Sequence, residues 1–401
     1  MKILRSAALA ASALAAVATA TPASAATIVL NGLESISNAS ARRGYTVAAQ
    51  YWENMLLNDT TVKLNVGFAS LAPGVLAQAG STRTDVLVTT AYNALIANAN
   101  SALDAAAIAS LGTQIAAGYG YSVNALVSSL NNVDVTINDN NGSYNNAVLY
   151  ENTAVLKAMG VTGYTGVDAQ ITFNSDVAFD FNPVNGIAAG RADFVGVAIH
   201  EMGHALGFTS GVDFYDIYAC PAGPGCGLIP NADAAFDNES WMRTLDLFRY
   251  SSEGQLDWTV GTPSYFSLDN GATEFNGEAS FSSGSYNGDG FQASHWQAPR
   301  STIDPNFFTC NTTNRLGIMN PYLCDGQAGE VESHDIAALD AIGWNTRVDA
   351  LANPNYRESS GDIFAQLAPV PEPGTWAMMI LGFGVVGGAL RRRGKSQPSF
   401  A

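Results

Sequence analysis

The stretch His200-Glu201-Met202-Gly203-His204-Ala205-Leu206-Gly207-Phe208 decides how this chain is read. It spells H-E-x-x-H-x-x-G, and its surroundings predict a helix over Phe194–Leu206. Asp193 is a favourable N-cap and Gly207 a favourable stop. Two histidines four apart lie one turn above each other on a single helix face. That spacing lets both imidazoles reach one tetrahedral zinc, with Zn–N distances of about 2.0–2.1 Å. Glu201 lies about 100° around the helix from His200. It is placed to work on a zinc-bound water as the general base of a hydrolase, without ligating the metal. Phe194, Val197, Ala198, Ile199, Ala205 and Leu206 are apolar, so the helix is expected to be buried rather than solvated.

Outward from this helix the pattern alternates between helices and strands. Arg42–Leu57 carries apolar residues at helical spacing, and Thr61–Phe68 alternates as a half-buried strand does. Helical patterns follow near Thr84–Ala97 and within Asn145–Gly160. Ala169–Asn174 reads as a strand shortly before the metal helix. It is expected to flank the cleft and to pair near Ile171 with an extended substrate. The sequence contains no internal repeat. Residues 349–369 read as a spacer between the domain and a sorting signal.

A catalytic zinc needs a third protein ligand and one open position. The position three residues beyond Gly207 is Ser210, which cannot serve as the nitrogen ligand. The remaining histidines are His295 and His334, and Asp213, Asp216 and Glu239 are carboxylate alternatives. His334 opens a helical pattern at Ser333-His334-Asp335 and is read as structural.

Taken in order, H-E-M-G-H-A-L-G-F, the segment Ala293-Ser294-His295-Trp296, and Leu316-Gly317-Ile318-Met319-Asn320-Pro321 resemble the leishmanolysin-like metzincins. In that family an insertion displaces the third histidine. The resemblance spans about Asp193–Trp344, including Ser333–Trp344 (SHDIAALDAIGW). It implies His295 as third ligand beside His200 and His204. It implies Met319 as the methionine of a Met-turn, packed under the metal rather than bound to it. The implied fold is α+β, a zincin: an upper lobe (about 26–207) with a twisted mixed sheet and the zinc helix, then an irregular lower lobe (about 208–348) with the Met-turn. Asn238-Glu239 is also similar to the gluzincin arrangement, but Arg243 stands where an aspartate belongs. Tyr322 is read as a core or rim tyrosine rather than an oxyanion donor.

Both ends of the chain read as addresses. Lys2 and Arg5, an Ala/Leu/Val run and Pro22-Ala23-Ser24-Ala25 form a secretory signal over 1–25, with the mature chain expected from Ala26. At the other end stand Val370-Pro371-Glu372-Pro373-Gly374, 15 apolar or small residues from Trp376 to Leu390, and Arg391-Arg392-Arg393-Gly394-Lys395. An ordinary spanning helix needs about 20 residues. The tail over 370–395 resembles the PEP-CTERM sorting signal. That implies passage through the secretion translocon, a transient stop of the short transmembrane span in the inner membrane, and cleavage by an exosortase-type enzyme. It also implies a Gram-negative cell envelope, with the product at the cell surface or released, in the setting of exopolysaccharide.

The formal charge is −17, and near −22 once the terminal segments are set aside, because they carry six of the 18 basic and one of the 35 acidic residues. Such a surface repels nucleic acid. Calcium binding in Asn138-Asp139-Asn140-Asn141-Gly142 is a weak second cofactor reading beside an Asn-Gly turn. Cys220, Cys226, Cys310 and Cys324 form an even set in an oxidising compartment, and proximity favours the pairs 220–226 and 310–324 among three pairings. No cysteine precedes the helix in the mature chain, so no thiolate switch is expected. The expected function is that of an exported zinc endopeptidase acting through Glu201. The alternatives are a zincin-fold matrix or adhesion protein with little turnover, and a zinc amidase acting on cell-wall peptides.

Overall fold

The computed structural model describes residues 25–117, 122–229, 237–298 and 317–368. The secretory leader up to residue 24, the sorting tail from 370 and Cys310 lie outside the described residues. The fold is mixed α+β. The first half runs β1 (Thr27–Asn31), α1 (Ala39–Met55), β2 (Thr61–Ala69), β3 (Ala77–Ser81), β4 (Arg83–Leu87), α2 (Val88–Asn98) and α3 (Ala102–Ala117). It continues through β5 (Ala125–Ser129), β6 (Asn132–Asp139), the single turn α4 (Tyr144–Ala147), β7 (Val148–Asn152), α5 (Thr153–Ala158) and β8 (Ala169–Asn174). Next come β9 (Phe179–Asp180), β10 (Ala192–Asp193), α6 (Phe194–Ala205) and α7 (Val212–Tyr218). The remainder is β11 (Arg249–Ser252), β12 (Gln255–Asp257), β13 (Ser264–Phe266), β14 (Ser280–Phe281), β15 (Glu330–Glu332), α8 (Ser333–Ala341), β16 (Arg357–Ser359) and α9 (Ser360–Leu367).

A four-stranded sheet in the order β1-β2-β8-β3 backs the metal helix, with β3 antiparallel to the three others. β8 therefore lies inside the sheet, and Ile171 is fully buried. This corrects the expectation that Ala169–Asn174 borders the cleft. The alternation within β8 reflects one buried face, Ala169, Ile171 and Phe173, with Gln170 exposed on the other, and β3, a small-residue strand with weak patterning, forms the edge. Two helical expectations also change. Thr84–Ala97 divides into β4 and α2, and Asn145–Gly160 holds β7 between two short helices. β4 and β7 pair along five residues, so cross-strand pairing overrides local helix patterning there.

α6 is anchored by aromatic packing. The Phe194 ring lies 4.3 Å from Phe173, 5.0 Å from Phe181, 5.3 Å from Phe179 and 5.4 Å from Tyr45. Trp52 of α1 donates its indole N–H to the Ile199 carbonyl at 3.1 Å, and Trp344 donates to the Leu206 carbonyl at 2.7 Å. These bonds fix the rotation of α6 about its axis, and so the direction its polar face takes.

The second half is more regular than an irregular lobe. A six-stranded sheet runs β14-β13-β11-β12-β5-β6, and β5 and β6 come from before the metal helix. A clean division at residue 207 therefore does not hold. Nor are residues 349–368 a spacer. β16 pairs with β15, and α9 buries Ile363 and Phe364. Ser360 donates its hydroxyl to Asp193 Oδ2, so α9 helps hold the N-cap of the metal helix. Amphipathic spacing in this short helix carries the burial that its Pro- and Gly-containing flanks obscure.

Candidate metal centre

α6 begins where its sequence predicts. Asp193 accepts from the Val195 N–H at 3.0 Å through one oxygen and from the Gly329 N–H at 2.9 Å through the other. The helix then presents His200, Glu201 and His204 toward a cavity of about 870 Å³. At its far end Gly207 takes φ +118°, and a Cβ there would collide with Val155. This turn brings the Phe208 carbonyl back to His204 Nδ1 at 2.7 Å. The glycine that closes the sequence motif thus serves the ligand geometry through both its φ and its lack of a side chain.

His295 arrives from the other side. His204 Nε2 lies 3.1 Å from His200 Nε2 and 3.1 Å from His295 Nε2. The ligand atoms of the three residues fall within 4.8 Å of one another. Each Nδ1 faces a backbone carbonyl: Ile318 for His200 at 2.7 Å, Phe208 for His204 at 2.7 Å, and Gln292 for His295 at 3.2 Å. A carbonyl accepts only, so these partners assign the proton to Nδ1 in each ring and leave Nε2 as a bare acceptor. Three acceptors facing one point repel each other unless a cation or proton lies among them. The two 3.1 Å spacings are close to the edge of about 3.3 Å that a tetrahedron with bonds of about 2.0–2.1 Å has. Burial pushes His200 down to about 4, His204 down to about 3 and His295 well below its usual value. The rings are therefore neutral and ready to ligate at ordinary pH. The cluster fits a metal ion.

Glu201 is 7 % exposed, and burial pushes its carboxyl up to about 8. A cation at the three histidines acts against that shift. Met319 is buried under the cluster, close enough to Gly203 that a Cβ on that glycine would strike its sulfur. A small residue between the two helix ligands is what admits the methionine. Met319 packs against Gly203, on the helix between His200 and His204.

The other ligand alternatives fall elsewhere. Asp213 accepts from the Ala293 N–H and the Ser294 hydroxyl. Asp216 accepts from the Tyr286 and Asn287 N–H groups, both at 2.8 Å. Glu239 is exposed and outside the cavity lining. His334 is buried with its ring 5.2 Å from Trp296, edge to face. Tyr322 lines the cavity and stacks on Phe291 at 5.8 Å.

Two features of the site were not read from sequence. Asp335 accepts from the Ile318 N–H at 2.8 Å, the Met319 N–H at 3.2 Å, the Glu332 N–H at 2.8 Å and the Trp296 indole at 2.9 Å. One carboxylate thereby pins both the Met319 turn and the residue after His295. Its position in the first turn of α8 is compatible in sequence with helix capping and carries no sign of these other partners. The second feature is the β3 edge. Gly74 to Ala79 lines the cavity wall opposite His200, and β3 has no strand on its outer side among the described residues.

Cys220 and Cys226 form a disulfide, and Cys324 is also disulfide-bonded; Cys310, its expected partner, lies outside the described residues. In the Asn138–Gly142 stretch, Gly142 takes φ +71°, Asp139 accepts from Asn145 and Asn141 donates to Asp237. That is a hydrogen-bonded turn. No helix among the described residues is long and apolar enough to cross a membrane.

The fold and site define an α+β protein with a three-histidine centre able to hold a metal ion, His295 buried and His200 and His204 half-buried at the cavity. Residues 369–393 match the PEP-CTERM protein-sorting motif, so the chain is exported, sorted to the cell envelope and processed by an exosortase-type enzyme. No curated protein and no solved structure matches the chain.

Proposed function

We propose that this is an exported zinc endopeptidase of the leishmanolysin-like metzincin type, delivered to a Gram-negative cell surface by its sorting tail. The observation that carries the reading is the convergence of three Nε2 lone pairs beside Glu201. Each ring is fixed by a carbonyl behind it, and a groove opens in front. His200, His204 and His295 would hold the metal, and three imidazole nitrogen donors favour zinc. When bound, zinc supplies a Lewis acid for the scissile carbonyl and acidifies a coordinated water. Glu201 takes the proton from the attacking water and passes it to the leaving amine. The free edge of β3 gives an extended peptide a row of backbone partners along the groove. Gly80 on this edge leaves open space where a side chain would stand.

The test is metal content and casein hydrolysis of the purified chain, beside Glu201→Ala and His295→Ala. About one zinc per chain, activity lost but zinc kept in Glu201→Ala, and zinc lost in His295→Ala are the expected results. Zinc held without hydrolysis of any protein tried would instead favour the matrix or adhesion role, and hydrolysis confined to cell-wall peptides the amidase role.

A further inference from the structure

His204 and His295 are 91 residues apart, yet their Nε2 atoms meet. Something must bring the end of that long excursion back to the metal helix. Asp213, in the first turn of α7, lies just past the helix, and its two oxygens reach residues 80 and 81 positions later. Oδ1 accepts from the Ala293 N–H at 2.6 Å, and Oδ2 accepts from the Ser294 hydroxyl. The Ser294 oxygen in turn accepts from the Ser210 N–H at 2.8 Å. Ser210 occupies the position at which a compact motif would carry its third ligand. Here its backbone docks on the residue immediately before the histidine that takes that place. Arg249 also donates to the Ala293 carbonyl at 3.3 Å, which fixes the same segment from behind.

We propose that Asp213 is a positioning residue for the metal centre: with Ser294 and Ser210 it clasps the two ends of the insertion and delivers His295 to the cluster. The inference rests on His295 being a ligand. The directions of these bonds make the carboxylate specific. Ser294 gives its single proton to Asp213 and accepts from the Ser210 N–H through one of its lone pairs. Asparagine offers one acceptor where two donors converge. In either amide orientation, an N–H faces Ala293 or replaces the acceptor that Ser294 needs. The histidine then loses its fixed approach, while His200 and His204 keep theirs on the helix.

The experiment is zinc affinity of the full chain by chelator competition, for wild type, Asp213→Asn, Ser294→Ala, the double variant and His295→Ala. Thermal melting of each metal-free protein accompanies it. Partners that orient metal ligands are typically worth about 10–100-fold in affinity. Asp213→Asn is expected to weaken zinc binding within that range, and Ser294→Ala at its lower end. The double variant should be no weaker than Asp213→Asn, because both changes cut one chain of bonds. Ser294→Ala keeps the Asp213–Ala293 bond and serves if Asp213→Asn does not fold. Lower melting temperatures with unchanged zinc affinity in both variants would overturn the clasp and leave the metal centre standing. A wild-type chain that holds no zinc would overturn the metal-centre reading and the clasp together.

Discussion

Two parts of the molecule supply the cluster, and they do so by different means. His200 and His204 stand four residues apart on α6, where the helical period alone fixes their relation. His295 sits in an irregular segment whose approach depends on Asp213, Arg249 and Asp335, residues scattered across more than a hundred positions. One part is local geometry. The other is a tertiary network of carboxylates and backbone N–H groups. The helix part should tolerate changes elsewhere, whereas the loop part should fail when any member of its network is removed.

The largest effect is expected on the helix side, in chemistry rather than binding. Glu201→Gln should lower kcat by about 10²–10⁴-fold, the usual worth of a positioned general base, with metal content unchanged. Loss of metal in that variant would show that Glu201 supports the site rather than the reaction. Phe194→Ala tests how the helix itself is held. Five aromatic rings surround Phe194, and truncation of such a residue typically costs about 3–5 kcal/mol. Urea unfolding should show that loss, while folded protein keeps its metal because the i, i+4 spacing survives. A cost under about 1 kcal/mol would mean the aromatic box does not anchor α6.

Asp335→Asn sharpens the comparison from the loop side. The carboxylate accepts four bonds spread over two oxygens, and an asparagine carries one acceptor oxygen. Leaving buried donors unpaired costs about 1–3 kcal/mol. Stability should fall by that amount, and zinc affinity should fall with it, because Trp296 and Met319 lose a shared anchor. Stability lost with full zinc affinity would separate Asp335 from the ligand and make it a folding residue only.

The same contrast explains what could be read from the sequence. The helix, its cap at Asp193, its stop at Gly207 and the shared face of His200 and His204 follow from period and capping chemistry, which act over a few residues. α1 and β2 were legible for the same reason. The edge strand was not, because sheet order depends on pairing between distant segments: β3 and β8 look alike in length, and only their partners distinguish edge from interior. Residues 349–368 read as a spacer because short elements flanked by proline and glycine carry little pattern, while their burial against α1 and the Asp193 cap is a tertiary fact. His295 was reached through motif order, and its supports, Asp213 and Asp335, were invisible as supports. A carboxylate that accepts backbone N–H groups leaves no periodic trace.

The last expected effect is a dependence on pH and concerns Asp340, on the far side of α8 from that network. Burial pushes its carboxyl up to about 7, despite hydrogen bonds from Thr346 and Ser101. In the unfolded chain an aspartate titrates near 3.9. The folded protein therefore binds this proton more tightly than the unfolded chain does. The stability contributed by that proton is fully present below about pH 4 and is lost as pH rises through about 7. Asp340→Asn keeps an uncharged group of the same size and has no such dependence. Between pH 5 and pH 8 the variant should gain on the wild type by roughly 2–3 kcal/mol. Urea unfolding of both proteins at the two pH values measures it. A difference that stays constant across that range would mean that Asp340 is solvated when charged. The helix that follows the Met319 turn would then be more open than its packing indicates.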